Sequence, residues 1–200
     1  MRIAVLVSGN GTNLQALMDA QKDGQLSSGE IVLVLSDNKD AFALKRAERN
    51  GIRTVIKELS GEMTRKDLDD HILRELEGEK IELVVLAGYM RILGPELVKK
   101  YRGRILNIHP ALLPAFKGVH GIRDAYECGV KITGVTVHFV DEGLDSGPII
   151  LQEPVRIGSG DTLDALEKKI HEVEHRLYPE AVRLFVSGKL KMDGRKVIIQ

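Results

Sequence analysis

Apolar strand-like runs alternate with amphipathic helical segments through the first half of the chain. That alternation restricts it to an α/β fold on a mostly parallel sheet. Arg2–Val7 (RIAVLV), Ile31–Leu35, Thr54–Ile56, Ile81–Leu86 and Arg104–Ile108 read as strands. Their near-continuous apolar character is what a sheet covered on both faces requires. Between them the pattern predicts a helix capped by Thr12 or Asn13 and running to Lys22. A second helix, Ala41–Asn50, is stopped by Gly51. A third, Thr64–Leu76, carries Leu68, Ile72, Leu73 and Leu76 on one stripe, and Pro95–Lys100 is a short fourth. The expected architecture is Rossmann-like and doubly wound.

After His109 the periodicity changes. A Gly- and Pro-punctuated loop leads to a helix over Gly121–Glu127, then to strands over Lys131–Val140 and Ile149–Glu153. The connection between those strands suits an antiparallel pair, so antiparallel strands are expected at the C-terminal side of the sheet. Asp161-Thr162 opens a long helix to Val186, with Leu163, Leu166, Ile170, Val173, Leu177 and Val182 facing the core. Met192–Ile199 reads as a small hairpin turning at Asp193-Gly194. Two hundred residues suffice for one domain with a substantial core, and no linker or repeat divides them.

Lys+Arg and Asp+Glu both number 29, so no long-range field favours nucleic acid or a membrane surface. One cysteine, Cys128, rules out an intramolecular disulfide and a cysteine-rich zinc site; it reads as a small loop residue. No apolar run reaches spanning length and the first residues form a strand, so a cytoplasmic enzyme is the expectation.

Chemistry concentrates in Leu106-Asn107-Ile108-His109-Pro110. Alternation along a strand points Asn107 and His109 the same way, and Pro110 ends the ladder just beyond them. An amide donor for a developing oxyanion and an imidazole able to move a proton therefore meet at a strand's C-terminal end, where open α/β sheets bind ligands. No Ser or Cys nucleophile adjoins them, so the substrate is expected to supply its own. Asp145, in a Gly-rich acidic loop, is a candidate partner for the imidazole. Gly9-Asn10-Gly11-Thr12-Asn13 lies between a strand and a helix, where free backbone N–H groups bind phosphate. Leu14 replaces the third glycine of a dinucleotide fingerprint, although Asp37 could still serve as a ribose-binding acid. His171-Glu172-Val173-Glu174-His175 matches the zinc-protease spelling H-E-x-x-H, but few plausible third ligands follow it; no metal is expected. His120 and His138 read as supporting or ordinary polar residues, and His71 as a solvated helix residue.

Four stretches together resemble the folate-dependent formyltransferases. They are Ser8-Gly9-Asn10-Gly11-Thr12-Asn13-Leu14, Ala87-Gly88-Tyr89-Met90-Arg91-Ile92-Leu93, Asn107 to Pro114, and Thr136-Val137-His138-Phe139-Val140 leading to Leu144-Asp145-Ser146-Gly147-Pro148-Ile149. The resemblance covers nearly the whole chain, and its first loop favours the branch that formylates 5-phosphoribosylglycinamide in purine synthesis. It implies that Asn107, His109 and Asp145 are catalytic, that Gly11, Thr12 and Asn13 hold the ribose phosphate, and that Glu174 meets the glycinamide end. It also implies that Arg65, Met90, Arg91, Ile92, Leu93, Val140 and Asp141 contact the cosubstrate, 10-formyltetrahydrofolate. Residues 1–200 would then form a single domain, 1–100 the phosphate-binding half and 101–200 the folate-binding and catalytic half. Partners would be small molecules, with the protein a monomer or homodimer. The chain departs from the commonest family spelling at Thr12, Ala111 and Phe116-Lys117-Gly118, so no role is carried onto Lys117. Formyl transfer to methionyl-tRNA or an amino sugar, hydrolysis of formyltetrahydrofolate, and a non-catalytic nucleotide-binding module are the alternatives. The first three usually come with additional sequence, and the module leaves Asn107, His109 and Asp145 unexplained.

Overall fold

Nine strands and six helices follow one another as β1 (Arg2–Val7), α1 (Thr12–Lys22), β2 (Glu30–Ser36), α2 (Phe42–Arg49), β3 (Arg53–Ile56), α3 (Arg65–Gly78), β4 (Leu83–Leu86), α4 (Pro95–Lys100), β5 (Ile105–His109), α5 (Gly121–Cys128), β6 (Ile132–Phe139), β7 (Ile149–Arg156), α6 (Leu163–Val186), β8 (Leu190–Asp193) and β9 (Lys196–Ile199) in the computed structural model, which describes residues 1–59, 61 and 63–200. Seven strands form one sheet in the order β3-β2-β1-β4-β5-β6-β7. β1 to β5 pair in parallel, and β6 and β7 join antiparallel, as the sequence pattern predicts.

Strand alternation divides the core into two layers. Val5, Val7, Leu83, Val85, Leu106 and Ile108 face the side covered by α1, α2, α5 and α6. Ala4, Leu6, Val84, Leu86 and Ile105 face α3 and α4. The chain winds outward from β1 through β2 to β3, then returns to β4 on β1's other side. That reversal opens a crevice beyond the C-terminal ends of β1 and β4, the expected place for a ligand.

Several boundaries differ from the sequence reading, each for a local reason. Gly11, not Thr12 or Asn13, caps α1, in a left-handed conformation (φ 76°) and without a side-chain cap bond. A β-carbon there would lie 2.5 Å from the Ala43 methyl, so this close approach of α2 requires glycine. Thr12 and Asn13 are thereby freed from capping. β5 includes His109, which pairs with Thr136. β7 runs past Glu153 through Pro154 to Arg156, which an edge strand tolerates because proline's missing donor faces away from the ladder. Cys128 ends α5 as its last helical residue, before Gly129 in the left-handed region, and is not a loop residue. The terminal hairpin turns at Gly194-Arg195, one residue later than expected. His71 is only partly exposed on α3, beside Glu75 at 4.0 Å.

Candidate active site

β5 delivers Asn107 and His109 to the same face, as alternation requires, and the antiparallel register places His138 directly opposite Asn107. Asn107 Nδ2 lies 3.2 Å from His138 Nε2. His138 Nδ1 lies 2.7 Å from the Phe139 carbonyl, which can only accept, so Nδ1 carries the hydrogen. Nε2 of the neutral ring is then the acceptor for the Asn107 amide. Burial pushes the His138 imidazole below its usual range, against the upward pulls of the Phe139 carbonyl and Asp145, and so favours that neutral form.

His109 is 3% exposed. Its Nε2 donates to the Phe116 carbonyl at 2.8 Å, and its Nδ1 faces Asp145 Oδ2 at 3.5 Å. The ring thus confronts an acceptor at each nitrogen. Asp145 Oδ2 also accepts the Gly118 N–H at 2.8 Å, and Oδ1 lies 3.8 Å from His138 Nε2. Asp145 itself has φ 45°, a sparsely populated conformation for a residue with a β-carbon. Its loop is pinned nearby: Asp141 Oδ1 accepts from Ser146 Oγ (2.6 Å) and Gly143 N (3.1 Å). A β-carbon on Gly147 would fall 1.8 Å from the Phe139 carbonyl oxygen, so the chain closes against β6 only with glycine there. Thr136, paired with His109, accepts from Leu113 N and donates to the Ala111 carbonyl, anchoring the loop that follows Pro110.

This cluster lines a cleft of about 420 Å³ at the predicted crevice. Gly9 to Asn13, His171 and Glu174 line the same cleft. So do Met90, Ile92, Val119 and Leu144, four large apolar side chains that are exposed. Exposed apolar groups gathered around polar ones mark a site for a partly apolar ligand.

A model of the formyl transferase family matches residues 1–182. The chain belongs to that family. The chain is 45% identical over 96% of its length to the trifunctional purine biosynthetic protein adenosine-3 of Gallus gallus, of which it spans only 19%. It is 44% identical over 96% of its length to the phosphoribosylglycinamide formyltransferase of Escherichia coli strain K12, spanning 90% of that protein. Among solved structures, glycinamide ribonucleotide transformylase 1 from Symbiobacterium toebii superposes with a TM-score of 0.96 at 46% identity, covering 100% of this chain and 93% of that one.

The predicted residues are distributed unevenly about the cleft. Asn107, His109, Asp145, Gly11, Thr12, Asn13, Glu174, Met90, Arg91, Ile92, Leu93, Val140 and Asp141 all line it. Arg65 does not; its guanidinium donates to the Ile92 carbonyl from behind and braces the 90–93 segment. Arg91 Nε is engaged by Asp37 at 2.6 Å. Asp37 also accepts from Ser8 Oγ at 2.5 Å, so it ties three strand ends together and is not a free ribose acceptor. His138, which the sequence reading left undecided, also lines the cleft against Asn107; its signal lies in cross-strand register, invisible until β5 and β6 are paired. Glu174, 4% exposed, accepts from Asn13 Nδ2 at 3.2 Å and is bonded to His171 Nδ1 at 2.8 Å. The H-E-x-x-H spelling therefore encodes a His171–Glu174 bond with the His171 and His175 rings stacked at 6.2 Å. No set of three or more His, Cys, Asp or Glu side chains among the described residues is placed to hold a metal ion. A larger groove of about 1040 Å³ runs along α1 and α6 where they pack, but its arginines are committed: Arg176 to Glu153, Arg183 to Glu180 and Arg46 to Asn10.

Proposed function

We propose that this protein transfers the formyl group of 10-formyltetrahydrofolate to the amine of 5-phosphoribosylglycinamide. The observation that carries this reading is that Asn107, His109 and Asp145 share one cleft with the Gly11–Asn13 turn and with Met90, Ile92, Val119 and Leu144. The Gly11–Asn13 turn, at the N-terminus of α1, suits a phosphate through its backbone N–H groups. The Met90, Ile92, Val119 and Leu144 side chains suit a pteridine and its aromatic extension.

The substrate amine attacks the formyl carbon, forming a C–N bond and turning the carbonyl oxygen into an oxyanion. Asn107 Nδ2 donates one N–H to His138 and keeps the other for that oxyanion. His109 holds Asp145 at Nδ1, and its Nε2–H becomes the second donor and the proton source once the substrate oxygen replaces the Phe116 carbonyl there. Collapse breaks the bond from the formyl carbon to the folate nitrogen; the ammonium proton leaves the new amide, and the folate nitrogen gains one. Asp145 stabilises the imidazolium and lies where it can relay that proton through water. The attacking amine belongs to the substrate, which accounts for the absence of a side-chain nucleophile in this cluster.

The test is a mixture of purified protein, glycinamide ribonucleotide and 10-formyltetrahydrofolate, with folate absorbance and formylated product both followed. Formylated product that disappears in His109→Ala is the expected result. Loss of the formyl group without formylated product would assign a hydrolase instead, and no reaction at all would overturn formyl transfer to this acceptor.

A further inference from the structure

The terminal hairpin of β8 and β9 lies beyond residue 182, where the match to the family ends, and the mechanism above makes no use of it. It is nevertheless seated beside the chemistry. Leu190 and Val197 pack onto the core layer that holds Leu106 and Ile108, and β9 rests against β7. Met192 sits on Gly103, just ahead of β5: a β-carbon there would lie 2.9 Å from the Met192 methyl. Gly194, at φ 59°, takes the first central position of the turn, which leaves Arg195 at the tip. From there Arg195 Nη2 donates to the Ser146 carbonyl at 2.8 Å.

Ser146 follows Asp145 directly, in the loop 141–147. The base of that loop is closed by the Phe139 N–H, which donates to the Pro148 carbonyl at 2.9 Å. Inside it, Asp141 Oδ1 holds Gly143 N and Ser146 Oγ. Among the described residues, the Arg195 bond is the single hydrogen bond that reaches the main chain of this loop from another element. Asp145 stands there at φ 45°, a conformation that persists only where the surroundings hold it. On that conformation depends the 3.5 Å approach of its carboxylate to His109 Nδ1, and Asp141, Gly143 and Leu144 of the same loop line the cleft.

The geometry points to Arg195 as a positioning residue for formyl transfer: it fixes the 141–147 loop from outside, and so sets Asp145 against His109 and the loop's wall against the cosubstrate. This role rests on the functional reading above and goes beyond it by giving work to a hairpin that reading leaves idle. An arginine suits the task, because its guanidinium keeps its charge at any working pH and donates in a fixed plane. Arg195 is exposed and grips the loop at one carbonyl. Its loss therefore frees the loop while Leu190 and Val197 keep the hairpin docked. On the same reading the phosphorylated substrate is held at Gly11–Asn13 and Glu174, with which Arg195 makes no hydrogen bond, so affinity for that substrate should not follow the loop.

The experiment compares the native protein with Arg195→Ala and Arg195→Lys. Steady-state kinetics gives kcat and the KM of each substrate, and calorimetry gives the dissociation constant for glycinamide ribonucleotide without folate. In Arg195→Ala, kcat/KM for 10-formyltetrahydrofolate should fall by about tenfold, the scale of one hydrogen bond from a charged donor, through a lower kcat and a higher KM. The dissociation constant for the ribonucleotide should not change. Arg195→Lys, which can still donate to the carbonyl, should recover most of the loss. In an Asp145→Asn background the alanine substitution should cost much less in kcat, because a residue that acts through Asp145 then has little left to act on. A merely structural role would instead weaken both substrates alike, leave lysine no better than alanine, and add its full cost to that of Asp145→Asn. Any of these results, or native kinetics in Arg195→Ala, overturns the assignment while leaving formyl transfer intact. Absence of both ribonucleotide binding and formylated product in the native protein overturns the functional reading itself.

Discussion

The Asn107 amide nitrogen carries two hydrogens, and the fold spends one of them. His138 Nε2 takes it at 3.2 Å, which fixes the plane of the amide and aims the other hydrogen into the cleft. A donor held this way needs no reorganisation as negative charge develops, and that is where its value lies. Asn107→Ala should therefore lower kcat by about 100- to 1000-fold with a much smaller change in either KM, because loss of one such donor costs roughly 3–4 kcal/mol in the transition state. Parallel titration of kcat and both KM values checks this; a turnover within a few-fold of native would remove Asn107 from the oxyanion site. The same amide shows what one sequence can and cannot disclose. Asn107 and His109 are legible because they share a strand face two residues apart. His138 is not, because its role exists only when β6 pairs antiparallel with β5 in one register. Asp145 is chemically ambiguous in sequence, an acid in a turn, and gains meaning from the loop that folds it back under His109.

Among the elements, α6 connects the core to the chemistry. It contributes Glu174 and His171 to the cleft from its middle, and one turn later buries Tyr178 completely beneath the sheet. The Tyr178 hydroxyl reaches the Leu86 carbonyl at 2.8 Å and the Leu106 carbonyl at 3.1 Å. These carbonyls belong to β4 and β5 where their pairing ends at Leu86 and Asn107. Tyr178 thus supplies a hydrogen bond where the ladder gives out, directly behind the strand end that bears Asn107 and His109. Tyr178→Phe should destabilise the protein by about 1–2 kcal/mol, the usual cost of leaving a buried acceptor without its donor. In a chain of this size that lowers Tm by roughly 2–8 °C. Circular dichroism melting measures it, and an unchanged Tm would show that those carbonyls need no such partner. Helices and strands were readable wherever burial alone decided them: the apolar runs of β1, β2 and β4, the stripe on α3, the core face of α6. Misplaced boundaries depend on distant partners. Gly11 caps α1 because Ala43 approaches it, and Pro154 stays in a strand because β7 lies at the sheet's edge. Neither neighbour can be read from a local window.

At the scale of the whole molecule, zero formal net charge removes global repulsion as a lever, so the response to acid is set by individual buried groups. Three histidines in different parts of the fold, His71 on α3, His138 on β6 and His175 on α6, are held below the usual imidazole range, each chiefly by burial. The unfolded chain accepts protons at these positions before the folded chain does. Stability is therefore complete above the unfolded imidazole value and falls as pH drops through the folded ones. His171 works in the opposite sense: its folded form, bonded to Glu174, takes the proton first, so its contribution is present at low pH and fades as pH rises. On acidification the three lose stability together, opposed by His171 and by Asp69, whose carboxyl burial holds high; that the three prevail is the expectation the melting curves test, ahead of the carboxylates Asp67, Glu153, Asp161 and Glu180, which are held low by their partners and titrate later. Tm should decline between about pH 7.5 and about pH 5.5, well above the ordinary carboxylate range. The two histidines one turn apart on α6 sharpen the expectation. His175→Gln removes a group that resists protonation and should flatten the decline, whereas His171→Gln removes one that welcomes it and should steepen the decline. Melting curves for the three proteins at both pH values decide the matter: a Tm that does not change with pH, or slopes altered in the same direction by both substitutions, would show that these histidines do not govern the acid response.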